Sequence, residues 1–215
     1  MIESYDKLSI GKYLKFREML KQEMPEEELQ AELIALLSDV SINEVMGMSL
    51  VDYSKCVRKL EFLTVKPDQK DECPRHIVLG DTKYDVVRKI EELTAAQYID
   101  YQTYMKMKDP DGKLAEILSI FIIPSGKKYA EDYDITEVIN EIKEYLPVTV
   151  AFNLCFFFRK KQLGYIRRIL IYLGLMMKIW KRKTVTEKQK KMMIEAETQM
   201  KMLQDFLTSG GGLTM

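Results

Sequence analysis

Residues 114–148 read LAEILSIFIIPSGKKYAEDYDITEVINEIKEYLPV and contain the signals of two helices separated by a turn. The apolar run from Lys113 to Ile123 predicts the first helix, and Pro124 should end it, because proline cannot continue a helix. Asp134 with Glu137 has the spacing of a capping box, which predicts that the second helix starts there and continues to the next proline. This stretch therefore indicates an α-helical region.

Helix signals continue on both sides of this stretch. A helix is predicted from Ile10 to Met24, and Pro25 followed by three glutamates is typical of the first turn of another. Further starts are predicted by the capping pairs Ser41 with Glu44, Ser49 with Asp52, Thr94 with Gln97 and Thr184 with Glu187. Two more helices are predicted from about Val148 to Lys161 and from Gln162 to Lys183.

One strand signal stands out among these helices. His76 to Leu79 and Thr82 to Val87 are short apolar or β-branched runs on either side of Gly80 and Asp81, which predicts a small β-hairpin. The predicted fold class is mainly α, a multi-helix bundle with a small β-hairpin between two helical regions.

The predicted layout has five parts, because the polar segment KPDQKDECPR is typical of a linker. They are an N-terminal helical module (1–65), this linker (66–75), a core domain with the hairpin and helices (76–183), an amphipathic helix (184–208) and a flexible tail (209–215).

The composition supports a helical protein with a sizeable core. The chain has 215 residues, 47% of them hydrophobic, with only 10 Gly and 6 Pro.

Its three cysteines are odd in number and widely spaced, which favours a reducing compartment, and no signal peptide is expected at the N-terminus. The apolar run at 146–158 is shorter than the roughly 20 residues that a membrane span requires, so a buried helix is the preferred interpretation and no membrane association is expected.

Charge is distributed unevenly, although the formal net charge is zero. From Arg159 to Lys191 there are twelve Lys or Arg and one acid, Glu187. The predicted basic patch consists of Arg159, Lys160, Lys161, Arg167, Arg168, Lys181, Arg182 and Lys183. Such a segment could bind nucleic acid, an acidic partner or the acidic half of this same chain, and the sequence leaves the three open.

The predicted last helix has an apolar seam. Met193, Ala196, Met200, Leu203 and Leu207 recur at steps of three and four, as a and d positions do in a coiled coil. The seam covers only about two heptads, which favours docking on another helix over independent dimerisation. The predicted partner-binding residues are Met193, Met200, Leu203, Phe206 and Leu207.

Motifs of catalysis and ligand binding are incomplete. PSGKKY at 124–129 lacks the first glycine and the final Ser or Thr of a phosphate-binding loop. Cys73 and His76 have the spacing of half a zinc site, and His76 is the only histidine in the chain. We therefore expect no catalytic residues, no cofactor site and no metal site, and the protein is predicted not to be an enzyme.

The stretches LTAAQYIDYQTYMK (93–106) and 114–148, with KLSIGKYLKF (7–16) and FFFRKKQLGYIRRIL (156–170), resemble proteins from the structural gene clusters of tailed phages of gut Bacteroidetes. Some proteins of this kind are tail assembly chaperones, which hold the tape-measure protein, and others are virion connector or baseplate components. The resemblance implies phage assembly without catalysis, other phage structural proteins as partners, and a location in the host cytoplasm or the virion. Homo-oligomerisation is left open, and the class outside this resemblance is a nucleic-acid-binding packaging accessory that uses residues 159–191.

Overall fold

The computed structural model describes residues 1–67, 70, 73–158, 160, 161, 164, 198 and 201. Within them the chain is mostly helical and has one small antiparallel sheet, so the predicted mainly α class is confirmed. The helices are α1 (Ile10–Met19), α2 (Glu26–Ser38), α3 (Ile42–Met46), α4 (Leu50–Lys59), α5 (Ala95–Met105), α6 (Leu114–Phe121), α7 (Ile135–Tyr145) and α8 (148–158). Short 3-10 helices occupy Leu60–Thr64, Ile90–Glu92 and Asp111–Lys113. The strands are β1 (His76–Leu79), β2 (Thr82–Val86) and β3 (Ile122–Pro124).

Helix α1 is five residues shorter than the predicted helix to Met24. The amide groups of Lys21 and Gln22 donate to carbonyls only three residues earlier, at distances of 3.1 Å. This tighter bonding is typical of a terminating turn, and the residue before Pro25 disfavours helical geometry.

The predicted helix starts are confirmed at α3, α4, α5 and α7. Ser41 with Glu44 and Thr94 with Gln97 form complete capping boxes, and the Ser49 side chain accepts a bond from the amide of Asp52. At α7 the Asp134 side chain accepts from the amide of Thr136 instead of reaching the third helical residue. These caps satisfy backbone amides that have no partner inside the helix.

The predicted hairpin is also confirmed, but the sheet has a third strand where helix was predicted. Strands β1 and β2 pair in antiparallel register, Ile77 opposite Tyr84, around Gly80, whose φ of 55° favours glycine. Helix α6 ends at Phe121, and Ile122 lies opposite Val86 on β2. The prediction of helix to Ile123 was wrong, because pairing with β2 determines the conformation of these isoleucines.

The core surrounds α6. Seven of its eight residues are buried, all except Glu116, so the helix has an apolar environment on nearly every side. The ring of Phe121 stacks on Phe158 of α8 at a centroid distance of 4.0 Å and contacts Tyr101 of α5 edge-on at 5.5 Å. These contacts hold α5, α6 and α8 together.

The N-terminal helices join the same core. The amide of Ile10 donates to the carbonyl of Leu146 at 3.0 Å, and the amide of Val148 donates to the carbonyl of Leu8 at 2.8 Å. Buried side chains from Leu8 to Phe158 form one continuous apolar cluster. Residues 1–65 and 76–158 are therefore packed on each other, while the position of a boundary at 66–75 stays a prediction.

Candidate docking groove

A groove lies where the first turns of α2 face α3 and the start of α4. Asp39, in a left-handed conformation with φ 55°, ends α2, and both of its carboxylate oxygens accept from Lys12 Nζ at 2.6 and 2.7 Å. The turn at Asp39 reverses the chain, and Ser41 then starts α3 after it. Helices α2 and α3 consequently pack side by side.

The bottom of the groove is apolar and its volume is about 650 Å³. Ala31 of α2 and Val45 of α3 are buried, and the apolar walls add Ile42, Met46, Met48 and Leu50. At the far end Tyr53 of α4 donates its hydroxyl hydrogen to the carbonyl of Glu27 at 3.4 Å. This contact holds α4 against the start of α2.

Several apolar side chains beside the groove are not covered by the described residues. Met46 is 72% exposed, Leu50 is 86% exposed and Val51 is 65% exposed. No residue of α4 is buried, although its apolar and polar residues lie on opposite faces as in a helix that packs on a partner. Grouped apolar exposure of this kind is typical of a protein-binding surface.

The rim of the groove is acidic. Glu27, Glu28 and Glu32 line it, and no Lys or Arg among the described residues does. Within the described part of the chain, none of these three carboxylates forms an ion pair. Acids in the first turn also stabilise α2 through its dipole, but that effect accounts for Glu27 and Glu28 better than for Glu32, which lies in the second turn.

The predicted basic patch is described only at Lys160 and Lys161. Both side chains are exposed, and Lys161 Nζ lies 5.3 Å from the centroid of the Phe157 ring, within the range of a cation–π contact. The other patch residues, Arg159, Arg167, Arg168, Lys181, Arg182 and Lys183, lie outside the described residues, as do the predicted partner-binding residues Met193, Met200, Leu203, Phe206 and Leu207.

Cys73 and His76 contact different residues. His76 Nδ1 lies 2.6 Å from Asp85 Oδ1, and the Ser125 hydroxyl donates to the same oxygen at 2.7 Å. The hydrogen bond from Ser125, with a further contribution from His76, lowers the pKa of Asp85. In a Ser–His–Asp triad the histidine lies between the hydroxyl and the carboxylate. Here the Asp85 carboxylate lies between Ser125 and His76, so the arrangement is not that of a triad. Among the described residues no cluster of three His, Cys, Asp or Glu could hold a metal ion.

No family model, curated protein or solved structure matches this chain. In the part of the chain that the structure describes, no helix is both long enough and apolar enough to cross a bilayer. The functional interpretation therefore depends on the groove and on the residues that form it.

The sequence prediction did not single out the groove residues. Met46 is the last residue of α3, Leu50 is the first residue of α4, and Met48 lies in the connection between the two helices. The short length of α3 indicates that some of its apolar side chains stay exposed. A helix of five residues has too little surface to bury apolar side chains on more than one side. Which of these side chains stays exposed depends on the packing of α2.

Proposed function

We propose that this chain is a non-enzymatic phage morphogenesis protein with a multi-helix bundle core, and that it acts as a tail assembly chaperone. The observation that carries the proposal is the groove of α2, α3 and α4, where apolar side chains are exposed beside an acidic rim. The resemblance to tailed-phage structural proteins supplies the biological setting.

A chaperone of this kind has to cover apolar surface on a partner before assembly. Met46 and Met48 suit this task, because unbranched thioether side chains adapt to different partner shapes. The predicted seam from Met193 to Leu207 is a second candidate surface for the same partner, which we propose to be the tape-measure protein.

Co-expression with the tape-measure protein from the same gene cluster tests the proposal. The unmodified chain is expected to keep that protein soluble, and Leu50→Asp is expected to abolish this effect. An aspartate at the first residue of α4 suits the helix dipole, so the variant should fold normally. Val78→Asp is the matched control, since Val78 is also exposed, at 68%, and lies on β1 outside the groove.

The alternative within the same class is a virion connector, ring or baseplate component. Mass spectrometry of purified virions separates the two, because a connector is retained at a fixed copy number and a chaperone is released before the particle is complete. Detection at stoichiometric copy number would replace the chaperone proposal with the structural one.

The alternative from another class is a nucleic-acid-binding packaging accessory. It is favoured by the twelve Lys or Arg against one acid between Arg159 and Lys191. Neutralisation of several phosphates makes affinity fall steeply with salt. Absence of DNA and RNA binding at low ionic strength would exclude this alternative.

A further inference from the structure

We infer that the groove of α2, α3 and α4 receives an amphipathic helix of a partner protein whose apolar stripe is flanked by Lys or Arg. The inference rests on the proposed protein-binding function and specifies the chemistry of the partner. Three properties of the groove support it: the helical origin of its walls, its apolar bottom and its acidic rim.

The walls favour a helix over an extended segment. All lining residues except Met48 belong to helices or to the N-cap of α2, so most main-chain groups at the groove already have hydrogen-bond partners. An extended segment would leave its own amide and carbonyl groups unpaired against such a surface. A helix satisfies its main-chain groups internally and can place apolar side chains on Ala31 and Val45 without that cost.

The apolar walls match one face of a helix. Ile42 and Met46 lie one helical turn apart on α3, and Leu50, the first residue of α4, lines the groove with them as the third member of this apolar row. An incoming helix repeats its apolar side chains every three or four residues, which produces a stripe that such a row can cover. The exposure of Met46 and Leu50 shows that the described residues leave this row open.

The charges select a basic partner. Glu28 and Glu32 lie one helical turn apart on α2, and Glu27 extends the negative rim toward Tyr53. Residues four apart on a helix are about 5–6 Å from each other, so Lys or Arg at the same spacing on a partner can pair with both carboxylates. An acidic helix would meet like charges, and the described lining residues include no cation to compensate them.

Two synthetic helical peptides test the inference with the full-length protein. Both carry the same leucine stripe, and the flanking positions hold lysine in one and glutamate in the other. Fluorescence anisotropy should give an affinity at least about tenfold higher for the lysine peptide, and the difference should shrink as salt is added. Equal affinities for both peptides would refute the selection by charge.

Variants locate the binding. Glu28→Gln with Glu32→Gln should weaken the lysine peptide about three- to tenfold, as expected for two partly exposed ion pairs. Leu50→Asp should lower its affinity more than tenfold, through loss of apolar contact. The matched controls are Glu137→Gln with Glu144→Gln on α7, and Val78→Asp on β1, all at exposed positions outside the groove. Equal weakening by the controls would overturn the inference.

Further outcomes separate this inference from the proposed function and from other occupants. If the lysine peptide fails to bind while Leu50→Asp still abolishes chaperoning in co-expression, the inference fails and the proposed function stands. If the peptide binds as expected but co-expression is unaffected by Leu50→Asp, the proposed function fails and the inference stands. Self-association that Leu50→Asp abolishes, without peptide binding, would assign the groove to a second copy of the chain and overturn the inference.

Discussion

At the residue scale, the close approach of α1 and α7 depends on Gly11. A methyl group at this position of α1 would lie 2.8 Å from the carbonyl oxygen of Lys143 in α7. That distance is shorter than a van der Waals contact, and the obstacle is main chain, which cannot rotate away. The hydrogen bonds of Leu8 and Ile10 to residues 146–148 fix the two helices beside this point.

Gly11→Ala should therefore destabilise the protein by about 1–3 kcal/mol, the usual cost of overpacking, despite the helix preference of alanine. Urea unfolding followed by circular dichroism measures the change. Gly47→Ala is the control, because a methyl group there meets nothing closer than 3.4 Å and φ is −84°. Equal stability of Gly11→Ala and the unmodified chain would mean that α1 and α7 can separate without cost.

At the scale of elements, Gln97 links the start of α5 to the end of α6. Its side-chain oxygen accepts from the amide of Thr94 at 2.9 Å, and its amide nitrogen donates to the carbonyl of Ile120 at 2.6 Å. The residue is only 2% exposed, which is rare for a glutamine unless its polar atoms are bonded. The capping pair was predicted from the sequence, but the bond to α6 was not.

Gln97→Ala should cost about 1–3 kcal/mol, because the carbonyl of Ile120 loses its partner at a buried site and the amide of Thr94 loses its cap. Differential scanning calorimetry would show the lower melting temperature. Gln102→Ala on the same helix, at a partly exposed position, should change it little. A melting temperature unchanged by Gln97→Ala would show that water replaces both bonds.

At the scale of the whole molecule, burial of tyrosines couples stability to alkaline pH. Burial raises the pKa of Tyr84 and Tyr129, and hydrogen bonds to Glu141 and Asp100 raise them further. The folded state therefore holds these phenolic protons more tightly than the unfolded chain does. Their contribution to stability is present below the unfolded pKa of about 10 and is lost as pH rises toward the higher folded values.

The free energy of unfolding should accordingly decline above about pH 10. Urea unfolding at a series of values from about pH 8 to about pH 11, a range that brackets the ordinary tyrosine pKa of about 10, measures the slope. Tyr84→Phe with Tyr129→Phe should make the decline shallower, while a change at exposed Tyr98 should not. An identical slope in the double variant would remove these two tyrosines as the cause.

The layout of the chain gives a second prediction at this scale. Limited proteolysis should first cut within residues 66–75, where Lys66 and Lys70 are exposed. The two fragments should stay together in gel filtration, because Leu8 and Ile10 are bonded to Val148 and Leu146 across the cut. A first cut between Thr94 and Leu146, with 66–75 protected, would contradict the predicted boundary.

Local signals in the sequence determined the helix starts at α3, α4, α5 and α7 and the hairpin around Gly80. Each depends on contacts within a few residues, such as a side chain that caps an amide three positions away, so the sequence specifies them almost alone. The apolar run of α6 likewise predicted a helix, and the mainly α class is confirmed.

Only the tertiary structure decided the strand at Ile122, the bond from Gln97 to Ile120 and the exposure of Met46 and Leu50. Ile122 is extended because β2 offers it a partner, and that partner lies 36 residues earlier in the chain, at Val86. Met46 is exposed because α2 packs on one side of α3 and leaves the other open, and no described residue covers Leu50 at the start of α4. Apolar character in the sequence does not specify which contacts bury it, since burial depends on the relative placement of distant elements.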